Sequence, residues 1–154
     1  MKYRKLGETG FEVSELAMGG LFVASFATDK EEARRAVHRA LELGVNYIDT
    51  APGYYNSEEV LGYALQGVTQ PVILSTKLGG RPSPFNPQDK AALRRSVEES
   101  LRLLGRSTID ILMIHEPDRP EQYDWYSDHE KFTDRKSTRL NSSHSRASRM
   151  PSSA

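Results

Sequence analysis

The sequence predicts an α/β fold, the N-terminal half of a parallel (β/α)8 TIM barrel with an N-terminal β-hairpin. Three observations predict it. Short apolar runs alternate with amphipathic stretches of helical period, the pattern of parallel strands joined by crossover helices. Polar residues with chemical capacity close those runs, at the strand ends where such a barrel builds its working face. The chain has 154 residues, whereas a complete barrel takes about 250, and only four strand–helix units can be read along it.

The elements follow in order. Residues 3–6 and 11–13 flank a turn at 7–10 (GETG) and form the hairpin. Residues 16–19 make a short first barrel strand, and the apolar stretch 16–27 is read as that buried strand with its loop. Thr28 and Glu31 form a capping box for a helix running to Leu43, with Ala33, Val37, Ala40 and Leu41 on one face. Gly44 supplies a left-handed stop, and a strand at 45–49 (VNYID) follows. Asn56 or Ser57 then caps a helix to about Gln66, with Glu58 and Glu59 favoured at its start by the helix dipole. A strand at 71–76 (PVILST) leads to a Pro-rich loop over 79–87. Asn86 caps and Pro87 opens a longer helix whose face is Leu93, Val97, Leu101 and Leu104, ended by Gly105. The fourth strand covers 109–115 (IDILMIH), and 116–134 reads as a long active-site loop.

Net charge is zero, so bulk composition offers no argument for a nucleic-acid partner. The neutrality is uneven. Residues 135–154 carry five of the 21 basic residues and none of the 21 acidic ones, leaving an acidic body with 16 basic residues and a basic, Ser-rich tail. That tail has no period and no apolar face, and KSTRLNSSHSRASRMPSSA resembles translated adaptor or vector sequence. The expected organisation is a partial barrel over 1–134 and a disordered, non-native tail over 135–154. Cysteine is absent, which excludes disulfides and thiolate metal sites and suits a reducing compartment. His38, His115, His129 and His144 lack metal-ligand spacing. The apolar stretch at 16–27 is separated from the basic start by Glu8, Glu12 and Glu15 and is shorter than the roughly 20 residues that span a bilayer. A cytoplasmic protein with no membrane association is expected.

Asp49, Lys77 and His115 stand at or just past three strand ends, and Tyr54 lies five residues after Asp49. Taken singly, Asp49 is a turn cap, Tyr54 an aromatic turn residue, Lys77 a solvated strand terminus and His115 a hydrogen-bonded core histidine. Together they supply what carbonyl reduction requires of a protein. Nicotinamide brings the hydride, and a side chain must deliver a proton to oxygen. A phenol is a weak acid that a neighbouring ammonium helps to release its proton. Tyr54 and Lys77 fit those parts, with Asp49 fixing Lys77 and His115 donating a hydrogen bond to the carbonyl oxygen.

These segments resemble the aldo-keto reductases over residues 2–134. LGETGFEVSELAMGG is similar to that family's hairpin and first strand, and GVNYIDTAPGYYNSEEVLG to its signature around the catalytic Asp and Tyr. LSTKLG and ILMIHEPD are similar to its Lys and His segments. The resemblance implies a catalytic tetrad of Asp49, Tyr54, Lys77 and His115. It implies NADPH as cofactor, with NADH left open, and a small carbonyl or sugar substrate. Cofactor contacts fall on Gly19, Gly20 and Asp49, and the substrate pocket on Leu21, Phe22, Tyr55 and Glu116. A monomer is expected at full length. One departure stands out: many relatives carry Gly after the catalytic Tyr, and this chain has Tyr55. The loops that grip the pyrophosphate belong to the family's second half, so the chain is expected to be a truncated, inactive piece. The competing reading is a nicotinamide-binding regulatory or channel-associated subunit on the same scaffold, with vestigial turnover.

Overall fold

The structure, a computed structural model, describes residues 1–81, 86 and 88–115. Gly7 and Gly10, at φ 53° and 80°, turn the chain between β1 (Tyr3–Lys5) and β2 (Glu12–Ser14), which pair antiparallel. The hairpin is fastened to the segment preceding the second barrel strand. Tyr3 Oη donates to the Gly44 carbonyl at 2.8 Å, and Asn46 Oδ1 accepts from the Ser14 amide at 2.7 Å. It therefore closes the amino end of the sheet, away from the strand ends that bear the polar residues.

The sheet itself is parallel and four-stranded, in the order β3 (Met18–Gly19), β4 (Tyr47–Asp49), β5 (Ile73–Leu78), β6 (Ile111–Ile114). Neighbours in the sheet are neighbours in sequence, linked by α1 (Lys30–Glu42), α2 (Ser57–Ala64) and α3 (Lys90–Leu104). This is the α/β half-barrel architecture that the alternating pattern implied. Residues alternate between the faces of a strand; Ile48, Leu74, Thr76 and Leu78 turn toward the helices and are buried. Ile48 and Leu74 join Val37, Leu41, Leu61 and Leu104 in one continuous core.

Several local expectations are corrected. The cap of α1 is Asp29, whose side chain accepts from the Glu32 amide at 2.8 Å, so the cap lies one residue beyond Thr28, and the Glu32 carboxylate pairs with Arg35. Ala33, Val37 and Leu41 are buried, while Ala40 is only half-buried. Asn56 occupies the cap position of α2, but its Oδ1 accepts from the Ser25 amide at 2.9 Å, and that helix stops at Ala64. For α3, Asp89 is the cap, bonded to the Ala91 amide at 2.8 Å; Asn86 instead closes a turn onto Gln88, and Pro87 lies outside the described residues. The buried stripe of α3 runs through Ala92, Leu93, Ser96, Ser100 and Leu104, with Val97 and Leu101 half-buried. Ser100, on that stripe, accepts from Arg81 at 2.9 Å.

The apolar stretch at 16–27 is also less buried than expected. Its strand is only Met18–Gly19, a 3-10 turn covers Gly20–Val23, and Leu16, Phe22 and Phe26 are exposed. Strand β5 extends to Leu78, so Lys77 is within the strand rather than past it. Glu58 stands in the first turn of α2, as expected, and its side chain is in addition 2% exposed and paired with Arg81. Residues 116–154, which include Glu116 and the basic tail, lie outside the described residues.

Candidate active site

Parallel register sets Gly19 beside Asp49 and Asp49 beside Ser75. Lys77 is two residues further along β5, hence on the same face. Asp49 uses both carboxylate oxygens: Oδ1 accepts from Ser75 Oγ at 2.6 Å and Oδ2 from Lys77 Nζ at 2.7 Å. Lys77 also donates to the Thr50 carbonyl at 2.8 Å. With 12% and 28% of their side chains exposed, Lys77 and Asp49 are largely removed from water, and each is held by a second hydrogen bond, as partly buried charges require. Two fixed acceptors locate the ammonium, which stands 4.7 Å from the centre of the Tyr54 ring.

Tyr54 is set by two overlapping turns. Its amide donates to the Ala51 carbonyl at 3.1 Å, and its own carbonyl accepts from Ser57 at 2.9 Å. His115 follows β6 directly, its amide donating to the Leu78 carbonyl at 3.1 Å. The two rings meet edge to face, with centroids 5.7 Å apart at 85°. Gly53 admits the histidine, since a Cβ there would lie 3.2 Å from His115 Cε1. The four residues named from sequence thus converge on one face of the sheet, although they come from three strand ends and a loop.

The two glycines proposed near the cofactor differ. Around Gly19 a Cβ would meet no heavy atom within 4 Å, so there is open room beside Asp49. At Gly20 a Cβ would fall 2.8 Å from the Asp49 carbonyl and 2.9 Å from Ser57 Oγ. Gly20 is buried and its carbonyl accepts from Ser57 Oγ at 2.6 Å, while Ser57 and Thr50 share a 2.8 Å hydrogen bond. Its missing side chain lets the first turn of α2 pack beneath the site. Leu21 is half-buried at the rim, and Phe22 and Tyr55 are exposed beside it.

Sequence reasoning missed four participants. Ser75 orients Asp49, Gly53 makes room for His115, Phe26 packs against Tyr55 at a tilt with centroids 4.7 Å apart, and Glu58 joins α2 to β5 and to Arg81. Only Ser75 carried a usable signal, since it lies two residues before Lys77 on the same strand face. His38 accepts a structural reading, its Nε2 lying 2.8 Å from the Ala64 carbonyl. Among the described residues, no group of three or more His, Asp or Glu could hold a metal ion, and no helix is long and apolar enough to cross a membrane.

The sequence model of the Aldo/keto reductase family matches residues 15–134. The chain belongs to the aldo/keto reductase family. A putative aldo-keto reductase of Pseudomonas aeruginosa superposes with a TM-score of 0.72 at 35% identity, over 84% of this chain and 51% of that one. The 6-dehydroglucose reductase of Novosphingobium aromaticivorans is 35% identical over 129 residues, covering 75% of this chain and 42% of its own length. A probable voltage-gated potassium channel subunit beta of Oryza sativa is 33% identical over 129 residues, 77% of this chain and 38% of that protein. The chain therefore spans about two-fifths of the curated relatives it matches. The family is one of oxidoreductases that generally bind a nicotinamide cofactor.

Proposed function

We propose that the protein acts as an NAD(P)H-dependent reductase of aldehydes and ketones, or in reverse as an oxidant of the matching alcohols or sugars, with Tyr54 as proton donor. The observation that carries this reading is the Lys77 ammonium held by Asp49 and Thr50 at the face of Tyr54, with His115 on the same ring. When bound, the nicotinamide supplies the hydride. A Cβ at Gly19 would meet no heavy atom within 4 Å, and Gly19, Gly20 and Asp49 are the residues that would hold the ring. NADPH is assigned over NADH on the family's tendency alone.

Each residue then has a task. The Tyr54 hydroxyl holds the proton that passes to the carbonyl oxygen. Lys77 places its ammonium at the Tyr54 ring, 4.7 Å from the ring centre, and Asp49 keeps that charge from swinging away. The His115 ring donates a hydrogen bond to the oxygen as negative charge develops on it. A regulatory subunit that binds nicotinamide with vestigial turnover is the second reading, favoured by the similarity to the rice channel subunit.

Tyr54→Phe tests both in a protein of the relatives' full length. Removing the hydroxyl should leave the fold and cofactor binding intact and lower carbonyl reduction by at least about 10²-fold, the lower range for general acid catalysis. Unchanged turnover would overturn the assignment. Cofactor binding with no turnover in the unsubstituted protein would favour the regulatory reading. Tyr55→Phe is the register control and should change substrate affinity more than rate.

A further inference from the structure

Tyr55 is the one non-glycine residue at positive φ among the described residues, with φ 52°. It is the second residue of the turn closed by the Ser57 amide on the Tyr54 carbonyl, a position at which turns needing positive φ are dominated by Gly, Asn and Asp. A residue with a Cβ there is disfavoured by about 5–30-fold, so the turn needs support from outside. The support is visible. The Tyr55 ring packs on Phe26 with centroids 4.7 Å apart, and Phe26 in turn meets Phe22 at 6.3 Å. The same two loops are joined by the Ser25 amide donating to Asn56 Oδ1 at 2.9 Å. Phe26 itself sits on a closed turn, because the amides of Ala27 and Thr28 both donate to the Ala24 carbonyl. On the other side of Tyr55, the same backbone carries Tyr54 to its contacts with Lys77 and His115.

We propose that Phe26 is a positioning residue for Tyr54: its tilted ring contact with Tyr55 holds the left-handed turn that presents the Tyr54 ring to Lys77 and His115. Phe26 touches none of the reacting groups and acts through the turn alone. The catalytic consequence rests on reading Tyr54 as the proton donor, whereas the positional claim does not. A surface role for the aromatic cluster makes a different prediction, because exposed rings that only cover the loop would leave Tyr54 where it is.

The test uses the histidine ring-proton resonances of the whole chain, with His115 assigned by its loss in His115→Gln. Tyr54→Leu removes the ring current on His115 and defines the full displacement of its resonance. Phe26→Ala should move the resonance by more than half of that displacement, and Phe26→Tyr should leave it in place. Tyr55→Gly makes the left-handed turn intrinsically favourable, so Phe26→Ala combined with Tyr55→Gly should restore the unsubstituted position. A His115 resonance unmoved in Phe26→Ala, or not restored in the double variant, overturns the proposal. Phe26 and Tyr55 are both exposed, and their replacement leaves the buried core intact. The readout contains no turnover, so failure of Tyr54 as the acid would show only in the Tyr54→Phe rate and leave this result unchanged.

Discussion

Glu58→Ala should be among the most destabilising single substitutions outside the apolar core. Glu58 is 2% exposed; Oε1 accepts from Thr76 Oγ1 at 2.6 Å and Oε2 from the Arg81 guanidinium. Arg81 also donates to Ser100 Oγ at 2.9 Å. One carboxylate thus joins the first turn of α2, the outer face of β5 and the segment after it, and through Arg81 the last third of α3. Truncation leaves the fully buried Thr76 hydroxyl without its acceptor and Arg81 without its counter-charge. Breaking a buried pair costs about 3–5 kcal/mol; Arg81 keeps 24% of its side chain in water, so the low end applies, about 3 kcal/mol. For a domain of this size that lowers the melting temperature by about 6–12 °C. Thermal and urea unfolding of dilute protein, followed by far-ultraviolet circular dichroism, measures it. Glu59→Ala is the control, an adjacent residue 55% exposed and 3.7 Å from Lys30, and should change stability by no more than about 0.5 kcal/mol. Glu58→Leu with Arg81→Met should recover part of the loss, because apolar groups remove the stranded charge. Equal losses in Glu58→Ala and Glu59→Ala would refute the argument, since burial would then not matter.

Three further outcomes are expected. Gly62→Ala puts a Cβ 2.1 Å from the Leu103 carbonyl, so α2 and α3 must part, at a cost of about 1–3 kcal/mol; a melting temperature equal to the unsubstituted protein would mean that the helices are not in that contact. Gly20→Ala drives a Cβ into Ser57 Oγ and the Asp49 carbonyl and should cost more than Gly19→Ala, where space is open, while Gly19→Ala should weaken nicotinamide binding more than it weakens the fold, as read by titration and melting together. The hydrogen bond from Arg102 holds the Glu99 carboxyl below its ordinary range. With the folded value depressed, that stabilisation is present above the unfolded carboxylate pKa and fades as pH falls through the folded one. Arg102→Ala should therefore flatten the acid limb of the stability profile slightly, and an unchanged limb would show that the surface pair contributes nothing.

Strand and helix order and the α/β class were determined by the sequence alone, and Asp49, Tyr54, Lys77 and His115 stood out there as candidates. Periods of two and 3.6 are local properties of a chain, and polar residues at the ends of apolar runs stand out without knowledge of partners. The helix caps were ambiguous at that level. Thr28 with Glu31 and Asp29 with Glu32 satisfy the same spacing, and the choice of Asp29 went with the rotation that sends Ala33, Val37 and Leu41 into the core. In the same way, Glu58 at a helix start is indistinguishable from Glu59 until α2 is laid on β5. Only then does Thr76 come within 2.6 Å, with Ser96 and Ser100 rather than Val97 and Leu101 buried on α3. The left-handed turn at Tyr55 and its contact with Phe26 have no local signature either, since a tyrosine after a tyrosine suggests no backbone strain. These features depend on which residues distant in sequence meet when the helices settle on the sheet, and that is decided by the burial and packing of whole elements.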